Sequence, residues 1–191
     1  METSQTLRFA ERLLLVMVML CCTGCVSMLR IDGPYEGKVV DAETGQPIEG
    51  AVVHGTWYKA HPGAGGASHT YYDSNEVLTN KAGEFSIPGL GLLMLSMIEE
   101  MDVTIFKAGY EQITPNAWSG LNSYSLRDQI IWKGNKATFR LKKLSIEERR
   151  KRGVTMPSGP TSKNRYLRRE SNIENIELGY PESTLYTKDL P

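Results

Sequence analysis

The chain is expected to be mainly β, built as a sandwich of short strands, and three observations lead to that class. Between Tyr35 and Leu144, apolar and polar residues alternate over short runs rich in Val, Ile, Thr and aromatics. Glycine, proline, asparagine and aspartate punctuate those runs where turns are needed. Outside one apolar insert, no segment of that region carries a sustained helical period. The 22 basic and 22 acidic side chains cancel, so no global field invites a nucleic acid, and none is expected as a partner.

In chain order, the first feature is the unbroken apolar run Leu13 to Leu20, preceded by Arg8 and Arg12 and followed by small residues ending at a cysteine. That is the layout of a secretory signal. A spanning helix needs roughly 20 apolar residues, whereas this run gives way at Thr23 and Gly24 and meets Arg30 and Asp32 soon after. Cys22-Thr23-Gly24-Cys25 resembles the lipobox of bacterial lipoproteins. The resemblance implies a signal peptide over residues 1–24, cleavage before Cys25, and a diacyl or triacyl chain on Cys25, with a linker over 25–34. A multiply acylated cysteine holds a protein stably on a bilayer, which one chain does not. In the lipoproteins it resembles, an aspartate after the cysteine marks inner-membrane retention, so the resemblance makes Val26 compatible with outer-membrane placement facing the periplasm. An ordinary secretory peptide cut elsewhere, or an uncleaved anchor, is the alternative.

All three cysteines fall in this segment, so a chain cleaved at Cys25 keeps one, and that one carries lipid. No disulfide, thiolate nucleophile or cysteine metal site is then available. About 167 residues remain, enough for one domain with a real core.

Lys38 to Asp41 forms the first strand candidate, closed by Glu43-Thr44-Gly45-Gln46-Pro47, where Gly45 takes positive φ and Pro47 ends ladder donation. Ala51 to Tyr58 is the next strand. Glu76 to Thr79 and Glu84 to Ile87 flank Asn80-Lys81-Ala82-Gly83, which has Asn and Gly placed for a hairpin. Val103 to Lys107 and Ala137 to Lys142 alternate cleanly, so each is half-buried on one face.

The same residues resemble a carboxypeptidase regulatory-like domain. Thr44-Gly45-Gln46-Pro47-Ile48-Glu49-Gly50-Ala51-Val52-Val53 matches that family's opening turn and second strand. Thr79-Asn80-Lys81-Ala82-Gly83-Glu84-Phe85 matches its "T(D/N)xxGxF" element, and Lys107-Ala108-Gly109-Tyr110 its "KxGY" element. The resemblance spans residues 35–144 and implies a seven-stranded, transthyretin-like Greek-key β-sandwich used as an accessory or adhesive module. The zinc and substrate residues of metallocarboxypeptidases belong to their catalytic domain, so no active site is carried over. Read physically, Gly109 turns the chain so that the Tyr110 ring covers the sandwich end with its hydroxyl in water.

Three stretches exceed a minimal domain. His61 to Asp73 reads as a long glycine-rich loop; with His54 on the preceding strand, His61, His69 and Asp73 could be imagined as a zinc or other divalent site of a small envelope hydrolase. Their spacing matches no compact ligand motif, and surface histidines are the simpler reading; no cofactor is expected. Gly89 to Ile98 leaves almost no polar face. It is expected as a short buried helix capping the sandwich, with an exposed partner or membrane contact through Leu92, Leu93 and Leu95 as the alternative. Between Thr114 and Gly134, Trp118, Tyr124 and Trp132 stand among small polar residues, as in a glycan- or peptide-binding surface or as plugs of a loop folded over the sandwich.

From Ser145 the composition turns charged. Ser145 caps a helix with Glu147 and Glu148 at its positive end and Arg149 to Arg152 at its negative end, a solvated helix by default. Ser162 to Leu178 is expected as a second helix and the polar segment after Pro181 as extended or loosely ordered, so residues 145–191 make a helical or loosely ordered tail. No Gly-x-Ser-x-Gly elbow or His-Glu-x-x-His helix is present. The functional expectation is a non-catalytic binding or assembly module, held on the membrane by its N-terminal lipid and meeting an envelope protein or glycan. The alternatives are the metal-dependent hydrolase and an accessory subunit docking through 89–98.

Overall fold

A computed structural model describes residues 29–63, 65–118, 120, 128–156 and 159–186. The signal segment, Cys25 and Tyr124 lie outside the described residues. Among the described residues the fold is mainly β and has three sheets. Its strands are β1 (Leu29–Asp32), β2 (Tyr35–Asp41), β3 (Val52–Gly63), β4 (Gly66–Leu78), β5 (Glu84–Ile87), β6 (Gly91–Met94), β7 (Asp102–Phe106), β8 (Ile113–Ala117), β9 (Ile130–Lys133) and β10 (Lys136–Leu141). Among the described residues they are followed by two helices, α1 (Ile146–Arg152) and α2 (Arg165–Glu177), and by 3₁₀ turns at Thr161–Lys163 and Glu182–Thr184.

The chain divides into two compact units. The described part of the smaller is the antiparallel β1–β6 ribbon with the residues just around β6. The larger holds two four-stranded sheets, ordered β5-β2-β10-β9 and β4-β3-β7-β8. The strands of the sandwich sheets number eight rather than the seven expected. β2 and β10 run parallel, while the other pairings are antiparallel.

The core lies between the two large sheets. Period-two alternation turns Tyr35, Gly37 and Val39 of β2, Phe85 and Ile87 of β5, and Ala137, Phe139 and Leu141 of β10 inward, all buried. They meet Val53, Gly55 and Trp57 of β3: the Tyr35 and Trp57 rings lie 6.4 Å apart, and a Cβ on Gly55 would sit 2.3 Å from Met101 Sδ. Gly55 is therefore glycine for space.

The three sequence motifs lock one another. The Thr79 hydroxyl donates to Ile48 O at 2.7 Å and accepts from Ala51 N at 2.8 Å, tying the second motif to the first. Asn80 Oδ1 accepts from the amides of Ala82 and Glu84 at 2.9 Å each. Gly83 holds φ +74°, and any Cβ there would lie 2.4 Å from Val39 O. The expected hairpin here is instead a corner: β4 and β5 belong to different sheets, and β5 pairs with β2.

Two further expectations are corrected and a third is narrowed. The glycine-rich stretch 61–73 is not a loop; β3 and β4 pair from Val52↔Leu78 to Gly63↔Gly66, with one register shift between Trp57 and Tyr58. The apolar insert is not a buried helix; Gly91 to Met94 form β6, paired with β1 and exposed along much of its length. Gly91 at φ +77° turns the chain into this strand. Finally, of the helical and loosely ordered alternatives for the C-terminal segment, the described residues of 145–186 take the helical one, and they pack on the sandwich. α2 covers the outward face of β3 and β7, where Leu167, Val52 and Phe106 form a second, fully buried cluster. β3 is consequently buried on both faces along Val52–Trp57, which is why its burial does not alternate.

Candidate functional site

With one outer face of the sandwich covered by α2, the other is left open. Alternation sends Glu36 and Lys38 of β2, Lys136 and Thr138 of β10, and Glu84 and Ser86 of β5 outward. Together with Lys133 and the rim residues Leu78 and Asn80 they line a groove of about 780 Å³. The parallel register puts Lys136 beside Glu36, and their charged ends meet at 3.0 Å. Three cations and two carboxylates therefore share an open surface of mixed polar and apolar character. A surface this open encloses a small molecule poorly and suits a broad partner surface better.

The candidate metal residues do not come together. His61 pairs with Ser68 and Ala60 with His69 across the β3–β4 ladder, so the two histidines stand on opposite faces of that ribbon. His61 Nε2 is bonded to Thr70 Oγ1 at 2.9 Å, and His69 Nδ1 to Glu99 Oε2 at 2.8 Å. Asp73 pairs with Lys163 at 3.1 Å. His54 is buried on the outward side of β3, its Nδ1 at 3.2 Å from Thr56 Oγ1, and burial pushes its pKa down to about 4 despite a bond to the Lys163 backbone. Among the described residues, no group of three His, Cys, Asp or Glu side chains is placed to hold a metal ion. Burial, and next the neighbouring Glu99 and Glu100, raise the Asp102 carboxyl.

Of the aromatic stretch, Trp118 is a core plug. It packs edge-on against Tyr35 at 5.1 Å and Trp132 at 5.6 Å, and lies 6.1 Å from Phe139. Its faces are occupied and unavailable for stacking on a sugar. Of the apolar candidates, Leu92 and Leu95 are well exposed and Leu93 is half-buried. Among the described residues, no helix is long and apolar enough to cross a membrane.

The basic run also departs from the solvated helix expected. Ser145 and Glu148 form a capping box at the start of α1. The Ser145 amide and hydroxyl, with Lys142, draw the Glu148 carboxyl down to about 2. At the other end, Arg149 turns inward and donates to Glu174 through Nη2 at 2.7 Å and Nε at 3.1 Å; Arg152 joins the same carboxylate and also donates to Tyr110 O. Arg150 donates to Leu178 O, and Lys151 pairs with Glu147. All four cations are engaged within the chain.

Glu174 accepts in addition from the Gly109 amide at 2.8 Å, and Glu170, one turn earlier, from the Ala108 amide at 3.0 Å and Lys107 Nζ at 3.0 Å. The turn of the third motif is thus held by two carboxylates of α2. Burial pushes the Glu174 carboxyl up, but Arg149, the Gly109 amide and Arg152 outweigh it and hold it below its usual value. The Tyr110 hydroxyl, expected in water, lies against the Asp41 carboxylate; burial first, and Asp41 next, raise its pKa. Glu76 of β4 accepts the Tyr166 and Leu167 amides at 2.7 and 3.1 Å, serving the α2 N-terminus that Asn164 leaves without a side-chain cap. Sequence reading missed this clasp; the four-residue spacing of Glu170, Glu174 and Leu178, in phase with Leu167, was its one signal.

Compared with protein-family models, curated proteins and solved structures, the chain matches none.

Proposed function

We propose that this protein is a lipid-anchored lipoprotein of the bacterial cell envelope, on the outer membrane facing the periplasm, whose β-sandwich is a non-catalytic binding or assembly module. The observation that carries the reading is the Thr23-Gly24-Cys25 sequence directly after the apolar run Leu13 to Leu20, ending four positions ahead of β1. Acylation at Cys25 holds the chain at the bilayer surface. The open face of β5-β2-β10-β9, with Lys38, Lys133 and Lys136 beside Glu36 and Glu84, is the surface offered to an envelope protein or glycan.

The sandwich is assigned here to the transthyretin-like class. Support comes from the two four-stranded sheets, with the first sandwich strand parallel to the last, and from the three motifs. Those motifs meet at one corner, where Thr79 joins the first to the second and Lys107 Nζ reaches Gly50 O at 3.4 Å.

Intact mass of the full chain, expressed with its native N-terminus and extracted from membranes, tests the anchor. The expected mass corresponds to residues 25–191 plus acyl chains and is absent from a Cys25→Ala variant. An unmodified product or a retained signal segment sinks the proposal.

A further inference from the structure

The β1–β6 ribbon has two unlike faces. Its antiparallel register sets Leu29 opposite Met94 and Ile31 opposite Leu92, and directly opposed residues share a face. Leu29, Ile31, Leu92 and Met94 therefore make one wholly apolar face, while Arg30, Asp32, Gly91 and Leu93 fall on the other. The four apolar side chains are 51, 78, 63 and 64 % exposed, so the ribbon does not bury them itself. Asp32 braces the ribbon, accepting from Leu90 N at 2.9 Å and pairing with Arg30 at 3.5 Å. Leu95, the next residue after β6, has φ +50°, a left-handed conformation disfavoured for leucine, and is 73 % exposed. The chain thus accepts backbone strain at a position that presents one more leucine to the outside.

We propose that this apolar face rests in the interfacial layer of the bilayer that holds the N-terminus, as a second membrane contact beside the lipid on Cys25. The inference builds on the lipoprotein reading above, and the tether supplies the argument for the occupant. Three residues lie between Cys25 and Leu29, and the four steps along the chain span at most about 14 Å even when fully extended. A headgroup layer is roughly 5–8 Å thick on each side of the hydrocarbon, so the linker keeps the ribbon close to it and needs no full extension to bring the ribbon in. Tethering makes the second contact intramolecular, and each inserted side chain then adds to membrane affinity without a minimum contact area. A protein partner has no such help. The paired strands are only about 13 Å long and about 5 Å apart, far short of the roughly 800 Å² that a stable interface needs from each side.

The test uses the full chain with its native N-terminus, purified from membranes and reconstituted into phosphatidylethanolamine–phosphatidylglycerol vesicles, with or without brominated acyl chains. Leu92→Trp and Met94→Trp place reporters on the apolar face; Ser86→Trp, on the outward face of β5, is the control. The additional emission of both ribbon reporters is expected to shift to the blue and to be quenched by the brominated chains, while that of Ser86→Trp is not. Ribbon reporters quenched no more than Ser86→Trp overturn the proposal. So does a blue shift that is indifferent to lipid and disappears on dilution, which would assign the face to a second protein. Intact mass of the same preparation separates the two readings. Acylated protein without quenching leaves the anchor standing and removes the ribbon contact; quenching without acylation supports the ribbon contact and removes the anchor.

Discussion

His54 shows how one side chain can record the covering of a sheet face. It projects from the outward side of β3, opposite Glu76 of β4 and Thr104 of β7, and under the segment that carries Lys163. Burial there holds its folded pKa near 4, against an ordinary value of 6.5. The folded state thus resists protonation: the stability His54 contributes is fully present above pH 6.5 and is lost as pH falls toward 4. The full shift corresponds to about 3 kcal/mol. Burial acts on Glu76 in the opposite sense, raising its pKa although it accepts helix amides, so that group favours the folded state as pH drops. Comparing wild type with His54→Gln isolates the histidine, since Glu76 is common to both. Urea unfolding between pH 7 and 4 is expected to give a steeper loss of stability in wild type; parallel curves would show that the imidazole is not shielded.

At the scale of elements, α2 does what a second layer does on a sheet. It brings Leu167 onto Val52 and Phe106, all three fully buried, with Val154 and Met156 packed alongside. Leu167→Ala is expected to cost about 2–5 kcal/mol, the usual penalty for a large-to-small change in a closed core, read as a lowered urea midpoint at constant slope. A cost below about 1 kcal/mol, the size of a surface effect, would mean that the helix lies loosely. The alternation of Val103 to Lys107 and of Ala137 to Lys142 made those strands legible in the sequence, as did the glycine and asparagine of the corner at 80–83. The helix within Ser162 to Leu178 was legible as a helix, but its place as a cover on the sheet was not, because the residues that dock it are charged. Glu170 and Glu174 read as solvent-facing until the Ala108 and Gly109 amides and Arg149 are seen to meet them. The insert at 89–98 failed for another reason: a short apolar run has no period that separates strand from helix, and its strand partner, β1, lies 58 residues away at the Asp32–Leu90 contact. The metal candidates failed on register, since pairing partners, and not separation along the chain, decide that His61 and His69 point apart.

Within the larger unit, the C-terminal helices decide which face of the sandwich stays open. One sheet is closed by α2, and the other keeps its charge-bearing groove. The clasp that fixes this choice is electrostatic as well as apolar, with Arg149 8 % and Glu174 1 % exposed and joined by three hydrogen bonds. A buried pair of this kind adds little over an apolar pair of the same shape, yet removing one partner strands the other charge and costs about 3–5 kcal/mol. Because Glu174 also holds the Gly109 amide and Arg152, helix and sandwich share the same interactions and are expected to unfold together. Fluorescence of the core tryptophans Trp57 and Trp118 reports the sandwich, and far-ultraviolet dichroism reports the helices. In urea, the two signals of the wild-type chain are expected to trace one transition. Glu174→Gln should move both midpoints down by the same amount. If the helical signal is lost first, and Glu174→Gln widens the gap while leaving the tryptophan transition in place, then α2 is a separable cover and the outer face of β4-β3-β7-β8 can be opened without unfolding the core.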